Sequence, residues 1–394
     1  MSTLASIYKS FSGLIGFTRK LDDLSQNVAN LNTVGFKSRD SYFRELHDGQ
    51  SGQGVAMAGS EINFKDGEYT RTSQATHLAM SGEGFFVLED NNGQRFYTRA
   101  GQFVLNGDQL VDSLSGHRVL GLSEAGGLEV ISIATDSRSA PEPTKTVTFR
   151  GNLNAGTATD IVYPGDTDTP VTAEVYDSTG KLHRLELSFT KQIGNNWSVE
   201  VDDENGLQVA SHTLSFSATG SPVTGSNQLM FTFTPDGAES QEVTLDFGTA
   251  GEFTGVTGFT AANSSLTSNR EDGRGVGELS GSRFDEQGNM VLSFTNGDSR
   301  QPFTIALARF RDTSQLMTSS GNLFTSHSDP DAIGKPGEGA LGSVRPEGLE
   351  KSNVDISTEF AEIIIIQRGY QASSQVLSVS NEMLEELYNS TGGR

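Results

Sequence analysis

The chain has 394 residues, of which 34% are hydrophobic and 45 are glycine, and its formal charge is −22. The acidic balance disfavours nucleic acid as a partner, and the absence of cysteine excludes disulfides and thiolate metal sites. No stretch approaches the roughly 20 apolar residues that span a bilayer, and the N-terminus lacks a secretory signal pattern, so neither membrane insertion nor a cleaved signal is expected.

The first predicted element is an N-terminal helix. Its apolar residues recur every three or four positions, with interruptions at Thr18 and Ser25, which is typical of a coiled-coil-like packing stripe. The stripe consists of Leu4, Ile7, Phe11, Leu14, Leu21 and Val28. Gly13 and Gly16 each weaken the helix by about 1 kcal/mol relative to alanine, so we expect it to need packing partners.

A glycine-rich stretch, GQSGQGVAMAGS at residues 49–60, follows the first helix. Its composition is compatible with a compliant joint or with a plain linker.

The next 300 or so residues alternate like β-structure. Residues 85–88 and 95–98 flank the turn Asn91-Asn92-Gly93 and predict a hairpin, and VTAEVYDSTGKLHRLELSFT predicts another. Residues 147–271 are richer in Ser, Thr, Gly and Asp and contain the only tryptophan, Trp197. We therefore predict a mainly β fold of two β domains, the second inserted in the first, with long terminal helices packing together.

Three parts of the chain are predicted on this basis. Residues 1–71 with 350–394 form a terminal helical part and its connecting segment, residues 72–146 with 272–349 a first β domain, and residues 147–271 an inserted outer β domain.

The last predicted element is a helix whose stripe consists of Ile356, Phe360, Ile363, Tyr370, Leu377, Leu384 and Tyr388. Ser352 and Asp355 fit a helix-start pattern. Residues 1–39 have five basic and two acidic side chains, whereas residues 352–394 have six acidic and two basic ones. We therefore expect the two terminal helices to attract one another.

Four consecutive isoleucines, Ile363 to Ile366, lie in this last helix. Successive helical residues are rotated by about 100°, so the four side chains point all round the axis. The run could belong to a central helix in a large core, to an embedded strand, or to a helix surrounded by other copies of the chain.

Patterns of catalytic or cofactor chemistry are missing from the sequence. No two histidines have metal-ligand spacing, and there is no phosphate-binding loop or nucleophile elbow. Acidic loops with Asp166 and Asp168, and with Asp202, Asp203 and Glu204, do not match the twelve-residue calcium loop. We expect no cofactor, no metal and no enzyme, although a distant pair of carboxylates for glycoside hydrolysis cannot be located from sequence.

Two end segments, NVANLNTVGFKSR (27–39) and LEKSNVDISTEFAEIIIIQRGYQASSQVLSVSNEMLEEL (349–387), closely resemble those of the bacterial flagellar rod and hook family. The matching residues are Asn27, Asn30, Asn32, Thr33, Gly35, Phe36, Ser352, Asn353, Val354, Asp355, Gln367, Tyr370, Gln371 and Ala372. Residues 80–121 resemble the family's β domain through Gly82, Gly84, Phe85, Phe86, Tyr97, Thr98, Arg99, Ala100, Gly101 and Phe103, and a later segment does so through Asn296 and Gly297.

What the resemblance implies is a structural subunit of an extracellular helical polymer. Shorter family members build the rod and longer ones the hook, so the insertion at 147–271 favours the hook, a curved hollow tube that transmits motor torque as a flexible universal joint. The implied partners are further copies of the chain, the distal rod protein, the hook cap protein, the hook–filament junction protein and the flagellar type III export apparatus. The implied location is outside the cell, between basal body and filament.

The resemblance also implies an assembly interface in the terminal segments. We predict that it contains Leu4, Ile7, Phe11, Leu14, Leu21, Val28, Asn30, Gly35, Phe36, Asn353, Asp355, Phe360, Ile363, Ile364, Ile366, Gln367, Tyr370, Leu377 and Leu384. The isoleucine run would then be buried between subunits, and the glycine-rich stretch could be a wedge between them. Two alternatives stay open: a lengthened distal rod protein, and a secreted β-rich adhesin or carbohydrate-binding module with Trp197 and Tyr176 as aromatic platforms.

Overall fold

A computed structural model describes residues 2–48, 51–165, 169–320 and 322–392. They form two compact units: residues 1–135, 281–292 and 300–394 belong to the first, and residues 136–280 and 293–299 to the second. The mainly β fold with a helix at each end, predicted from the sequence, is confirmed.

The described elements begin with helix α1 (Ser2–Ala29) and end with helix α2 (Ile356–Gly392). The strands before residue 135 are β1 (Arg39–Asp48), β2 (Ser51–Ile62), β3 (Tyr69–Arg71), β4 (Leu78–Ser81), β5 (Phe85–Glu89), β6 (Arg95–Thr98), β7 (Phe103–Asn106), β8 (Gln109–Asp112), β9 (Arg118–Ser123) and β10 (Leu128–Val130). The next strands are β11 (Arg138–Ser139), β12 (Thr146–Asn152), β13 (Val162–Tyr163), β14 (Val171–Tyr176), β15 (Leu182–Lys191), β16 (Asn196–Asp202), β17 (Gln208–Ser215), β18 (Gln228–Phe233), β19 (Gln241–Asp246), β20 (Val256–Thr257) and β21 (Ser265–Arg270). The last strands are β22 (Gly277–Phe284), β23 (Asn289–Phe294), β24 (Ser299–Ile305), β25 (Leu307–Arg309), β26 (Leu316–Thr318), β27 (Leu323–Ser326), β28 (Ala332–Gly334), β29 (Ser343–Pro346) and β30 (Gly348–Glu350).

The β part of the first unit is built around the hairpin of β5 and β6, as its alternating sequence predicts. Strand β5 also pairs with β9 and β25, and β6 pairs with β27. Aromatic rings fill the core beneath this sheet: the centroid of Phe85 lies 5.2 Å from Phe64, 5.8 Å from Phe324 and 6.0 Å from Phe310. Edge-to-face pairs of this kind contribute beyond their buried area.

Strands from the front and the back of the chain pair with each other in the first unit. β3 pairs with β30, and β4 pairs with β29, in both cases antiparallel. These pairings bring the segment that follows α1 beside the segment that precedes α2. The two ends of the chain therefore meet through direct backbone pairing of these strands.

The second unit contains two five-stranded sheets. One has the order β18-β19-β12-β20 with β21 also paired to β12, and the other has the order β13-β15-β16-β17 with β14 also paired to β15. The predicted hairpin of β14 and β15 is confirmed, from Val171 opposite Leu187 to Tyr176 opposite Leu182. Buried side chains of both sheets share one core, in which Phe149, Phe189, Trp197 and Phe247 are the largest fully buried ones.

Candidate assembly interface

The chain turns sharply after α1, and its asparagine-rich motif makes the turn. Asn27 is fully buried and donates from its side-chain amide to the carbonyl of Arg39 and to the carboxylate of Glu359, each at 3.1 Å. Its side-chain oxygen Oδ1 accepts from the backbone amide of Arg39 at 2.9 Å. Gly35 has φ +66°, and a Cβ there would lie 2.6 Å from the backbone nitrogen of Ala100. Only glycine fits this position without strain.

The return segment before α2 is tied to the same turn by Asn353. Its side-chain oxygen accepts from the Ser38 amide at 2.8 Å. Its amide nitrogen donates to the carbonyls of Asn63 and Lys65, at 2.7 and 3.0 Å. One side chain therefore joins three stretches of backbone, which explains the presence of an amide at position 353.

Helix α2 begins three residues later than a cap at Ser352 would place it. Asp355 is the cap, because its carboxylate accepts from the amides of Ser357 at 2.8 Å and Thr358 at 3.2 Å. The hydroxyl of Ser352 instead accepts from Val354. The motif does start a helix, as predicted, but the cap is Asp355 and not Ser352. The aspartate lies nearer the helix and accepts from its first free amides.

A buried cluster of charges lies where the front segment, the β core and the return strand converge. The ammonium of Lys37 lies 2.5 Å from one carboxylate oxygen of Glu350, and their side chains are 0% and 2% exposed. The same oxygen accepts from the Gly67 amide at 2.7 Å. Arg99, also 2% exposed, lies 3.8 Å from the other oxygen of Glu350 and 3.3 Å from Asp66. Burial lowers the pKa of Lys37, and the neighbouring Glu350 opposes that shift.

The two helices pack along a narrow seam. Of the apolar side chains described in α1 and α2, only Leu24 and Ile366 are buried. The ring of Phe17 packs directly against Gly369, because a Cβ on residue 369 would lie only 2.7 Å from that ring. The glycine at this position in the helix thus has a packing reason. A groove of about 190 Å³ in the seam is lined by Phe17, Thr18, Leu21, Ile366, Gln367, Tyr370 and Gln371.

Charged side chains close one end of the seam. Lys20 of α1 lies 3.0 Å from Glu362 of α2, as the opposite charges of the two segments predict. Burial raises the pKa of nearby Glu359, and the repulsion of Glu362 and Asp40 raises it further. The hydrogen bond from Asn27 acts in the opposite direction. The helix pair therefore combines a thin apolar contact with a polar junction.

The four isoleucines divide between two sides of α2. Ile366 is buried and Ile363 half-buried against the rest of the chain, whereas Ile364 and Ile365 are 58% and 67% exposed. The embedded-strand alternative is wrong, because the run is helical. A single copy of the chain covers about half of the run.

An outward apolar stripe of α2 escaped the sequence prediction. It consists of Ile365, Ala372, Val376, Val379, Met383 and Leu387, all exposed and spaced by three, four or seven residues. That spacing places them on one face of a helix. Helix α1 has a shorter outward row, in which Tyr8 and Phe11 are each 54% exposed and Ile15 is 42% exposed. Periodicity alone does not indicate which of two stripes a partner within the chain covers.

The predicted interface residues fall into three groups. Those half-buried within the chain are Ile7, Leu14, Leu21, Val28, Asn30, Phe36, Asn353, Ile363, Leu377 and Leu384. Gly35 and Ile366 are buried, and the exposed members are Phe11, Asp355, Phe360, Ile364, Gln367 and Tyr370. The side chain of Leu4 lies outside the described ones. The exposed members remain candidates for contact with another copy, and the buried and half-buried members pack against other parts of the same chain.

The glycine-rich stretch is a strand where the structure describes it. Residues 51–60 belong to β2, which forms a long hairpin with β1, and residues 49 and 50 lie outside the described ones. The Val55 amide donates to the Ser12 hydroxyl of α1 at 3.2 Å, and Gly54 lies against the same side chain. The plain-linker interpretation is therefore wrong for residues 51–60, since the glycines allow the hairpin to approach α1 closely.

The proposed aromatic platform of a carbohydrate-binding module is not exposed. Trp197 is 1% exposed in the core of the second unit, and Tyr176 is half-buried under the guanidinium of Arg270, 4.6 Å from its ring centre. Asp203, in one of the acidic loops, accepts from the amides of Asn205 and Leu207 and so closes a turn. The loop with Asp166 and Asp168 lies outside the described residues.

Within the described ranges, no three His, Asp or Glu side chains are grouped as a metal site would require. The same ranges hold no helix that is long and apolar enough to cross a membrane.

Sequence reasoning also missed the role of the charged residues in the buried cluster. Lys37 lies within the front segment 27–39, Arg99 within the β segment 80–121, and Glu350 near the start of the back segment 349–387. A charged residue inside each conspicuous motif was a usable signal. Nothing in the sequence, however, pairs positions 37 and 350.

Three family models match the chain in order. A flagellar hook protein FlgE/F/G D1 domain matches residues 79–153, a flagellar basal body protein FlaE D2 domain residues 151–331, and a flagellar basal body rod FlgEFG protein C-terminal segment residues 346–390. These matches extend over both the first and the second unit.

Full-length relatives are similar along the whole chain. The flagellar hook protein FlgE of Borreliella burgdorferi is 31% identical over 98% of this chain and 99% of its own. The proteins of the same name from Escherichia coli K12 and Salmonella typhimurium are 29% and 30% identical, covering 97% and 98% of this chain and 98% and 99% of their own. At this identity over nearly its entire length, the chain belongs to the flagellar hook protein FlgE family.

Proposed function

We propose that the chain polymerises through the outward faces of its terminal helices into the curved hollow tube of the hook. As a member of this family it is a structural subunit of the hook, an extracellular part of the flagellum between basal body and filament. In this role it transmits torque as a flexible joint and catalyses no reaction. The alternatives of a rod protein or an adhesin are not favoured by the relatives.

The observation that supports polymerisation most directly is the uncovered apolar surface of α2. Its outward stripe includes Val376, Val379, Met383 and Leu387, exposed by 51%, 44%, 58% and 59%. Contiguous exposed apolar surface on a protein usually marks an interaction site. An isolated helix with a thin seam gains its remaining stability from neighbours, so assembly and helix order are coupled.

A contact between the α2 stripe of one copy and the α1 row of the next is compatible with the charges. Exposed Lys9 and Arg19 lie on α1, and exposed Glu382, Glu385 and Glu386 lie on α2. Two different surfaces that meet in this way form a heterologous contact, which repeats into an open helical filament when the rotation does not close.

The finer assignments belong to the same proposal. Residues 1–71 with 350–394 form the inner part of the tube, residues 72–146 with 272–349 surround them, and residues 147–271 face outward.

The further partners are the distal rod protein, the hook cap protein, the hook–filament junction protein and the type III export apparatus. The charge of −22 supports neither a nucleic acid nor a membrane partner.

Neighbouring residues of α2 provide the test. Val379→Asp places a carboxylate in the outward stripe, whereas Ser378→Asp adds the same charge at the exposed position beside it. Sedimentation velocity over a concentration series should show large polymers for the parent chain and for Ser378→Asp, and monomers for Val379→Asp. Polymers of Val379→Asp that match those of the parent would contradict the proposal.

A further inference from the structure

The buried charge cluster contains one acid that is out of reach until the chain returns. Lys37, Asp66 and Arg99 all lie within the first 99 residues, whereas Glu350 lies 313 residues beyond Lys37. Lys37 and Arg99 are 0% and 2% exposed, and Asp66, at 42%, is still partly in water. Before Glu350 arrives, docking of the front segment would therefore bury two cations against one half-solvated carboxylate.

Glu350 also satisfies backbone groups of the front segment. Its side chain accepts from the Gly67 amide at 2.7 Å, and its main-chain carbonyl accepts from the Gly35 amide at 2.8 Å. Lys37 has one other acceptor, the carbonyl of Lys65 at 2.7 Å, which carries no charge. A buried cation without its counter-ion is strongly unfavourable, since the loss of solvation is not recovered.

We propose that Glu350 is the closing group of the first unit: residues 35–39 and 63–67 dock on the β core only when the return strand β30 places its carboxylate between Lys37 and Arg99. The front segment of an incompletely folded chain thus stays open. Because Asn27 and Asn353 join the same junction to α1 and to the approach to α2, the terminal helices pair only after closure. This inference concerns folding order and does not depend on polymerisation.

The cluster has two buried cations, Lys37 and Arg99, but only one fully buried acid, Glu350. This imbalance predicts how strongly each variant opens the front segment. Lys37→Met removes one cation and leaves Glu350 facing Arg99 at 3.8 Å. Glu350→Gln removes the acid and leaves both cations buried. Glu350→Gln should therefore open the segment far more than Lys37→Met, and the double variant Lys37→Met/Glu350→Gln should lie between them. The matched control is Glu68→Gln, which breaks the adjacent but exposed pair of Lys351 and Glu68, 3.2 Å apart and 52% and 77% exposed.

Hydrogen–deuterium exchange of the full chain under native conditions is the test. In Glu350→Gln, the amides of residues 35–39 and 63–67 should exchange at least about tenfold faster than in the parent, while those of 85–98 keep their protection. Glu68→Gln should match the parent. Unchanged exchange in Glu350→Gln, or an effect of Lys37→Met as large as that of Glu350→Gln, would overturn the proposal. Loss of protection in 85–98 as well, including outright failure to fold, would also overturn it, because Glu350 would then support the whole core.

Discussion

The terminal helices and the second unit differ in how far they bury their apolar side chains. In the second unit, one core joins two sheets and buries the aromatic rings that belong to it, including Trp197 and Phe189 at 1% and 0% exposure. In the described parts of α1 and α2, only Leu24 and Ile366 are buried among the apolar side chains. The second unit closes a core of its own, whereas the helices leave most of their described apolar side chains at least partly exposed.

The largest expected effect tests the independence of the second unit. Phe189→Ala removes a fully buried ring and should lower the free energy of unfolding of this unit by about 3–5 kcal/mol. Urea unfolding followed by the fluorescence of Trp197, the only tryptophan, reports on this unit alone. The control Ile193→Ala, at a side chain 84% exposed, should stay within about 0.5 kcal/mol. Equal losses in the two variants would show that the core is not closed as described.

A smaller effect is expected in the helix seam. Gly369→Ala sets a methyl group as close as 2.7 Å to the ring of Phe17 and should cost up to about 3 kcal/mol of packing, more than the gain in helix propensity of about 1 kcal/mol. Gly13→Ala is the matched control, because the nearest neighbour of its Cβ would be the Ser373 hydroxyl at 3.3 Å and the ring of Phe17 would lie at an ordinary contact distance of 4.0 Å. Thermal melting followed by circular dichroism should show loss of helix at lower temperature for Gly369→Ala and no such shift for Gly13→Ala. The reverse order would refute the seam geometry.

Acid should weaken the second unit. Burial opposes ionisation of Asp177, but hydrogen bonds from His183, Thr179 and Lys181 outweigh it and lower its pKa from the ordinary 3.8 to about 2. Since the folded state holds the ionised form more strongly than the unfolded state, the stabilisation is present above pH 3.8 and is lost as the pH falls towards 2. Urea midpoints from Trp197 fluorescence should decline over that interval. The decline should be shallower in Asp177→Asn, and an identical decline would contradict the assignment.

The smallest effect is expected at the helix junction, where stability should be lost as the pH rises and not as it falls. Burial raises the pKa of Glu359, so its stabilising protonated form is present at low pH and is lost as the pH rises through the raised pKa. Glu359→Gln keeps an acceptor for Asn27 without the charge. Its helices should melt at higher temperature than those of the parent at neutral pH, and the difference should vanish below about pH 4. A lower melting temperature at neutral pH would show that the carboxylate is needed.

The sequence predicted what depends on local pattern. The hairpin of residues 85–98, the strands of the second unit and both terminal helices follow from alternation, turn residues and three- and four-residue spacing. The attraction of the two helices followed from charge and appears as the pair of Lys20 and Glu362. Such features are decided within a few tens of residues.

What the sequence did not predict depends on distant pairing. The contact of Lys37 with Glu350 joins residues 313 positions apart, and no periodicity reports it. Glycine content left a compliant joint, a wedge and a plain linker open for residues 49–60, whereas hairpin pairing with β1 and close approach to α1 determine the conformation of residues 51–60. The outward stripe of α2 was missed because the polar residues between its members resemble an ordinary solvated face.

Electron microscopy of the parent chain beside the double variant Ile364→Asp/Ile365→Asp tests the central claim most directly. Both substitutions alter the outward isoleucines, and Ile363 and Ile366 keep their places towards the rest of the chain. The helices should therefore remain paired while their outward surface is lost. Short curved tubes from the parent and single particles from the variant are the predicted result. Tubes of the same form from the variant would contradict assembly through the outward faces of the terminal helices.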